Sequence, residues 1–298
     1  MSATLVFERG AVRVYSGARG GKYPDGNQVV VRGRDALAVF DTPLVANRLA
    51  ETVAAADLVI LGHMHEDHAA GLHLARRARL WAHEGDVEAV RSWEGLARHY
   101  GVSEAVRAPL RAKIEREFHW VARPDALAYR DGARWELGGV TVTAVHLPGH
   151  TSGHCGLLVE PEGVFFIGDI DLSSFGPYYG DATSSLEAFR RTLVRIAEVP
   201  ATAWVTSHHK GVVTERATFV ALVSAFARRI EEREAAIEAR LRERPATLEE
   251  LVAHRFLYPR GYEELWVEDA ERRTIAQHLA ALEARGRVRE AQGRYHAL

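Results

Sequence analysis

The stretch Gly62-His63-Met64-His65-Glu66-Asp67-His68 decides how this chain is read. Residues 63–68 hold three imidazoles and two carboxylates, a density that packing does not explain. Just before it lies Asp57-Leu58-Val59-Ile60-Leu61, a run too apolar for an edge strand and suited to one covered on both faces. At the mouth of that strand, His63 and His65 project to the same side, because strand side chains alternate with period two. Asp67 and His68 fall where a helix is expected to open and run to about Ala78, so they can face a second centre. Neutral imidazole and carboxylate suit zinc and the neighbouring divalent metals.

Further along, the same pattern recurs. His150 ends the strand over 140–147 in Leu147-Pro148-Gly149-His150-Thr151-Ser152-Gly153-His154. Asp169 ends Phe165-Phe166-Ile167-Gly168, and His208-His209 follow Trp204-Val205-Thr206-Ser207. Each time an apolar run stops at Gly or Ser and a ligand-type residue follows. One such stop alone would be structural, but four on strand ends imply a shared site. Fifteen His against one Cys in the chain point the same way.

The 298 residues suit one large domain, or one domain with a small appendage. A hydrophobic share of 47% with 26% charged residues excludes wholesale disorder. With 38 basic and 40 acidic residues the net charge is -2, so no strong pull towards nucleic acid or anionic membrane is implied. Cys155 is alone, which excludes an intrachain disulfide, and it is expected to be a small buried hydrophobe. Residues 1–25 lack a signal-peptide layout, and no apolar run nears the roughly 20 residues of a membrane span. A soluble cytoplasmic protein without a membrane partner is expected.

Strands are expected at 12–15, 28–32, 36–40, 79–82, 135–137, 140–147 and 203–206, with a hairpin from 155–160 and 164–167. Helices are expected over 45–56, 185–198 and 215–243. Residues 85–120 read as charged helices without a functional signal. Pro245 breaks the long helix and places a boundary between a domain of 1–244 and a module of 245–298. Thr247-Leu248-Glu249-Glu250 has the form of a capping box. A helix over 268–285 and two hairpin strands then suggest a winged-helix-like module. From Pro245 onward there are eight Arg, no Lys and nine Asp or Glu, so nucleic acid is not favoured as a partner. Packing, dimerisation as a homo-oligomer, or a lid over the site fits that balance better. The Trp residues are expected in the core.

His63-x-His65-x-Asp67-His68, followed by His150, Asp169 and a late His, resembles the metallo-β-lactamase-fold hydrolases over residues 5–215. The resemblance implies an α+β fold, a four-layer αββα sandwich with a binuclear metal site at one edge. By the same resemblance, His63, His65 and His150 would hold one metal. Asp67, His68 and the late His would hold the other, with Asp169 bridging. His208 is preferred as the late ligand, because Thr206-Ser207-His208 stands where the family often has Pro-Gly-His; His209 remains open. Asp41 matches an early strand-end Asp that orients a ligand. His154 matches the second His of an H-T-x-G-H stretch in the glyoxalase II-like branch, and a hydrogen-bonding role is expected for it. Glu66 sits at a variable position and is expected to be solvated.

The implied cofactors are two divalent metal ions, zinc first, with iron or manganese as alternatives. The implied activity is attack of metal-activated hydroxide on a small thioester, ester or lactone, as in hydroxyacylglutathione hydrolase, with Asp67 also orienting the nucleophile. The run Ile170 to Asp181 departs from glyoxalase II, and Tyr178 and Tyr179 in it are candidates for contact with a small-molecule substrate. Two other activities occur in the fold. One is a metallo-endoribonuclease or phosphodiesterase, which the winged-helix-like tail suggests. The other is an iron-dependent persulfide dioxygenase-like enzyme.

Overall fold

Apolar residues at alternate positions build two sheets that bury one face against each other. The computed structural model describes residues 3–298. The first sheet takes its strands in chain order: β1 (Thr4–Arg9), β2 (Val12–Ser16), β3 (Gln28–Arg32), β4 (Leu37–Phe40), β5 (Leu58–Ile60), β6 (Arg79–His83) and β7 (Leu127–Tyr129). Strands β1 to β4 form an antiparallel meander, and β4 to β7 are parallel. The second sheet contains β8 (Arg134–Glu136), β9 (Thr141–His146), β10 (Cys155–Glu160), β11 (Val164–Phe166), β12 (Ala203–Val205) and β13 (Val212–Val213). Its order is β13-β12-β11-β10-β9-β8, antiparallel except for β11 beside β12.

Between the sheets lie Val29, Phe40, Ile60, Leu157, Val159, Phe166 and Val205. The alternate residues Leu158, Phe165 and Trp204 face outward, onto α6 (Leu186–Arg195) and α7 (Arg216–Glu243). On the far side, Val39, Val59, Leu61 and Leu80 pack under short helices. These are α2 (Ala50–Ala54), α3 (Val87–Arg91), α4 (Trp93–Tyr100) and α5 (Glu104–Glu117). The element labelled α1 (Ala18–Gly21) is a single distorted turn with left-handed Arg19 and Gly20. The result is the four-layer αββα sandwich of an α+β fold.

Some local expectations fail for tertiary reasons. Residues 67–78 are not a helix; only Glu66–His68 forms a 3-10 turn. The His68 carbonyl accepts the Thr42 N–H at 2.7 Å, and the Gly71 N–H donates to the Thr42 carbonyl at 2.7 Å. Partners on β4's extension thus take the groups a helix would have paired. Residues 44–49 likewise form a 3-10 turn before α2.

The C-terminal part comprises α8 (Leu248–His254), α9 (Val267–Ala284) and the hairpin of β14 (Val288–Ala291) and β15 (Arg294–Ala297). Both hydrogen bonds of the Thr247–Glu250 capping box form. Its small core joins Leu251, Ile275, Leu279 and Leu282 to Ile237 and Leu241 of α7. One helix of 28 residues therefore serves two cores, covering the second sheet with Phe219 and Phe226 and the small core with its last turns. No helix among the described residues is long and apolar enough to cross a membrane.

The loop between α8 and α9 is pinned by one buried carboxylate. Glu271 accepts N–H bonds from Phe256 at 3.1 Å, Leu257 at 2.9 Å and Tyr258 at 2.8 Å. Glu271→Ala strands those donors and is expected to cost about 3 kcal/mol or more in urea unfolding. A loss under about 1 kcal/mol would show that the loop does not depend on that carboxylate.

Candidate metal centre

Strands β4, β5, β9, β11 and β12 all run in the direction that delivers their C-terminal ends to one edge of the sandwich. Asp41 follows β4, His63 to His68 follow β5, His150 follows β9, Asp169 follows β11 and His208 follows β12. Residues scattered over 167 positions of sequence thus meet at one place, 208 less 41.

Donor atoms form four overlapping groups there, of which those of His63, His65, His150 and Asp169 and of Asp67, His68 and His208 face the cleft. In the first, His63 Nε2 lies 3.3 Å from His65 Nδ1 and 3.2 Å from His150 Nε2, and the last two are 3.1 Å apart. Nitrogens bound to one tetrahedral zinc sit about 3.3 Å apart. In the second, His208 Nε2 lies 3.0 Å from Asp67 Oδ2, and His68 Nε2 lies 3.9 Å from it. Asp169 touches both groups. Its Oδ2 is 3.4 Å from His150 Nε2, and its Oδ1 is 3.0 Å from His68 Nε2 and 3.5 Å from His208 Nε2. Although His68 Nε2 and Asp169 Oδ1 are close and buried, neither makes a hydrogen bond. They aim at a common point, as two ligands of one ion would. The donor set fits two divalent cations.

The other ring nitrogens are each held, which fixes the nitrogen that faces the centre. His68 Nδ1 pairs with Asp41 Oδ2 at 2.7 Å, while Asp41 Oδ1 accepts the Gly62 N–H at 2.7 Å. His65 Nε2 pairs with Asp181 Oδ2 at 2.7 Å. His150 Nδ1 donates to the Tyr178 carbonyl at 3.1 Å, and His208 Nδ1 faces the Gly21 and Asp25 carbonyls at 2.9 Å each. The exception is His63, whose Nδ1 is buried without a partner.

The electrostatics differ between the groups. Burial and the imidazoles around it hold His63 well below the ordinary range, and burial with His65 brings His150 to about 4. Both are therefore neutral, whereas His65, which burial alone would lower, is raised by Asp181 to about 9. Burial would also lower His208, but Asp169 and Asp67 raise it to about 10. His68 is raised well above its ordinary value, since Asp169, Asp67 and Asp41 outweigh burial. Asp169 is driven well below the carboxylate range, with His68 and His208 overcoming the upward push of burial. His65, His68 and His208 thus hold protons that a cation must displace.

Among the remaining expected residues, His154 donates from Nδ1 to the Leu147 carbonyl at 3.0 Å and accepts the Asp169 N–H at 3.1 Å. It holds the backbone of Asp169. His209 adopts a left-handed backbone and points its Nε2 towards Asp171 at 3.5 Å, outside both donor groups. Tyr178 donates to Asp181 Oδ1 at 3.0 Å and lines the cleft above the site. Tyr179 points the other way: fully buried, its hydroxyl meets His278 Nε2 of α9 at 2.8 Å. As a substrate contact Tyr179 is excluded, because neighbours in extended chain face opposite sides.

Glu66 is not solvated. It is 8% exposed and accepts hydroxyl hydrogens from Tyr100 and, at 3.1 Å, from Tyr23. Its spacing in the motif says nothing of partners brought in from α4 and the N-terminal turn. Residues 85–120 therefore do reach the site, through Tyr100. Asp181 lies 116 positions from His65, so no local spacing signals it. The cleft encloses about 310 Å³. Tyr23, Tyr100, Phe175, Tyr258, Tyr262 and Trp266 form its walls, so one Trp leaves the expected core. Among the described residues, no Lys or Arg lines it.

Two outcomes test the centre. His208→Ala is expected to leave one tightly held metal per chain and His209→Ala to leave two, by elemental analysis after dialysis. Equal stoichiometry in both variants would contradict the grouping. Metal uptake at pH 7 is expected to release protons from His65, His68 and His208. Calorimetry in buffers of different ionisation enthalpy reads this directly, and uptake without release would remove the protonated imidazoles.

The family model for the metallo-beta-lactamase superfamily matches residues 24–208. An acyl-coenzyme A thioesterase, MBLAC2 of Bos taurus, is 30% identical over 169 residues, 50% of this chain and 60% of that protein. A hydroxyacylglutathione hydrolase of Methylococcus capsulatus is 31% identical over 144 residues, 46% of this chain and 54% of that one. The match thus spans less than two thirds of either relative. Among solved structures, the metallo-beta-lactamase family protein TTHA1429 from Thermus thermophilus aligns with a TM-score of 0.69 at 25% identity, covering 92% of this chain and 94% of that one. A beta-lactamase domain protein from Burkholderia ambifaria gives 0.69 at 19% identity, over 99% and 94%, a likeness of fold alone. Because the family model extends over more than half of the sequence, and the αββα sandwich and its strand-end ligands agree with it, the chain belongs to the metallo-beta-lactamase superfamily.

Proposed function

We propose that this chain is a metal-dependent hydrolase of a small ester, thioester or lactone. The observation that carries the reading is the pair of donor groups sharing Asp169 on the floor of an aromatic cleft. His63, His65 and His150 would hold one ion and Asp67, His68 and His208 the other, zinc being the first candidate. Bound there, the pair supplies hydroxide near neutral pH and polarises the oxygen under attack.

The chain's own groups do the rest. Asp67 lines the cleft with one carboxylate oxygen on His208, so it can also orient the attacking nucleophile. Asp41 and Asp181 fix the rings of His68 and His65. Tyr178 stands over the site on Asp181 and bounds the space for the acyl group. The aromatic walls exclude water from the reacting carbonyl.

A thioesterase and a hydroxyacylglutathione hydrolase among the named relatives support acyl chemistry. A polynucleotide reading lacks support, because no Lys or Arg among the described residues lines the cleft to track a phosphate backbone. The loop between α8 and α9, which carries Tyr258, Tyr262 and Trp266, acts in this reading as a wall of the cleft.

Zinc-loaded protein is expected to hydrolyse S-phenyl thioacetate or S-lactoylglutathione, and chelator-stripped protein to lose that activity. Asp67→Ala should lower kcat by about 100-fold or more. Hydrolysis of bis-p-nitrophenyl phosphate without turnover of any acyl substrate would overturn the reading.

A further inference from the structure

Above the donor groups, the cleft combines two features that recur where proteins bind organic cations: ring faces and carboxylates. Tyr258 and Tyr262 stack at 5.3 Å, Phe175 lies 5.6 Å from Tyr258, and Trp266 meets the edge of Tyr23 at 6.1 Å. Glu66 and Asp171 open into the same space. Both Glu66 oxygens accept a hydroxyl hydrogen, from Tyr23 and Tyr100, beneath the rings, although burial and Asp67 push this carboxyl above its ordinary range. Asp171 Oδ1 accepts the Ser173 N–H at 3.0 Å, and its other oxygen faces His209 at 3.5 Å.

Metal loading does not cancel this charge. Two divalent cations would bring four positive charges, matched by Asp41, Asp67, Asp169 and Asp181, which all lie in or directly behind the donor groups. Glu66 and Asp171 remain as two further carboxyls on the cleft wall, beyond those four. An ammonium of the protein itself already uses this wall. Lys113 Nζ lies 5.3 Å from the Trp266 ring centre, neutralised by Glu264 at 2.7 Å.

Resting on the hydrolase reading, we infer that the substrate carries a cationic nitrogen, an ammonium or quaternary ammonium, seated against Glu66 and the Tyr258–Tyr262–Trp266 wall. A cation gains from ring faces and carboxylates what a neutral group of equal shape cannot. An anionic carrier would instead meet two carboxyls with no Lys or Arg lining the cleft among the described residues. The α8–α9 loop, held by Glu271, is on this view a specificity element supplied by the C-terminal helices.

The test compares butyrylthiocholine with its neutral carbon isostere, S-(3,3-dimethylbutyl) thiobutyrate, on zinc-loaded full-length protein. The cation is expected to have the higher kcat/KM by about tenfold, or about 1.4 kcal/mol, mainly through KM. Tyr262→Leu keeps apolar bulk on a partly exposed side chain, and Glu66→Gln keeps the shape. Each should move the ratio towards one. An isostere turned over as well as the cation, or a ratio unmoved in both variants, overturns the inference. If neither thioester is hydrolysed, the hydrolase reading is what fails. Calorimetry then decides the subsite: choline binding tighter than 3,3-dimethylbutan-1-ol upholds it, and equal binding ends it.

Discussion

One carboxylate, that of Asp169, faces two clusters of imidazole nitrogens at once. Its two oxygens point to different groups, so neither group is complete without the other's neighbour. An ionised carboxylate with one oxygen buried is costly unless it is matched. Here His68 and His208 match it in the metal-free chain, and a cation would do so in the loaded one. His154 clamps its backbone from behind. Much of the surrounding architecture can be understood as the means of bringing these charges together and keeping them paired.

That means is the shared direction of five strands. Parallel pairing of β4 with β5 and of β11 with β12 brings their last residues to one edge, and the inner core of Phe40, Ile60, Phe166 and Val205 locks the two sheets face to face. The helices outside them close the outer faces. Side chains at the strand ends emerge from rigid elements, which suits a site whose donor atoms must sit within a few tenths of an ångström of their productive positions.

Above this rigid floor the walls come from distant parts of the chain. Tyr23 and Tyr100 belong to the first half, Phe175 and Tyr178 to the loop after β11, and Tyr258, Tyr262 and Trp266 to the C-terminal helices and the loop between them. The long helix α7 makes this assembly coherent, because it packs on the second sheet at one end and into the small C-terminal core at the other. Buried Arg233 on the same helix donates to the Phe175 and Pro177 carbonyls and so supports the loop that carries Tyr178. Floor chemistry and wall chemistry are thus set by different constraints: strand direction for the first, helix packing for the second.

The donor residues were legible in the sequence because each follows an apolar run at a fixed offset, a local pattern that the backbone obeys whatever the rest of the chain does. His63 to His68, His150 and Asp169 could be named this way, whereas the αββα layering came only as what the resemblance to the metallo-β-lactamase-fold hydrolases implied. The choice of His208 over His209 was not decided locally; a left-handed turn at His209 sends the second ring elsewhere. Asp181, Tyr100, Trp266 and the buried state of Glu66 had no local signal, since each depends on contacts between segments far apart in sequence. The expected helix over 67–78 failed for the same reason, the His68 carbonyl being taken by Thr42. By itself the sequence determined which atoms could bind metal, through residue type and period. Only the tertiary structure decided what surrounds them, because a cleft is made of side chains that meet across elements and leave no period in the chain.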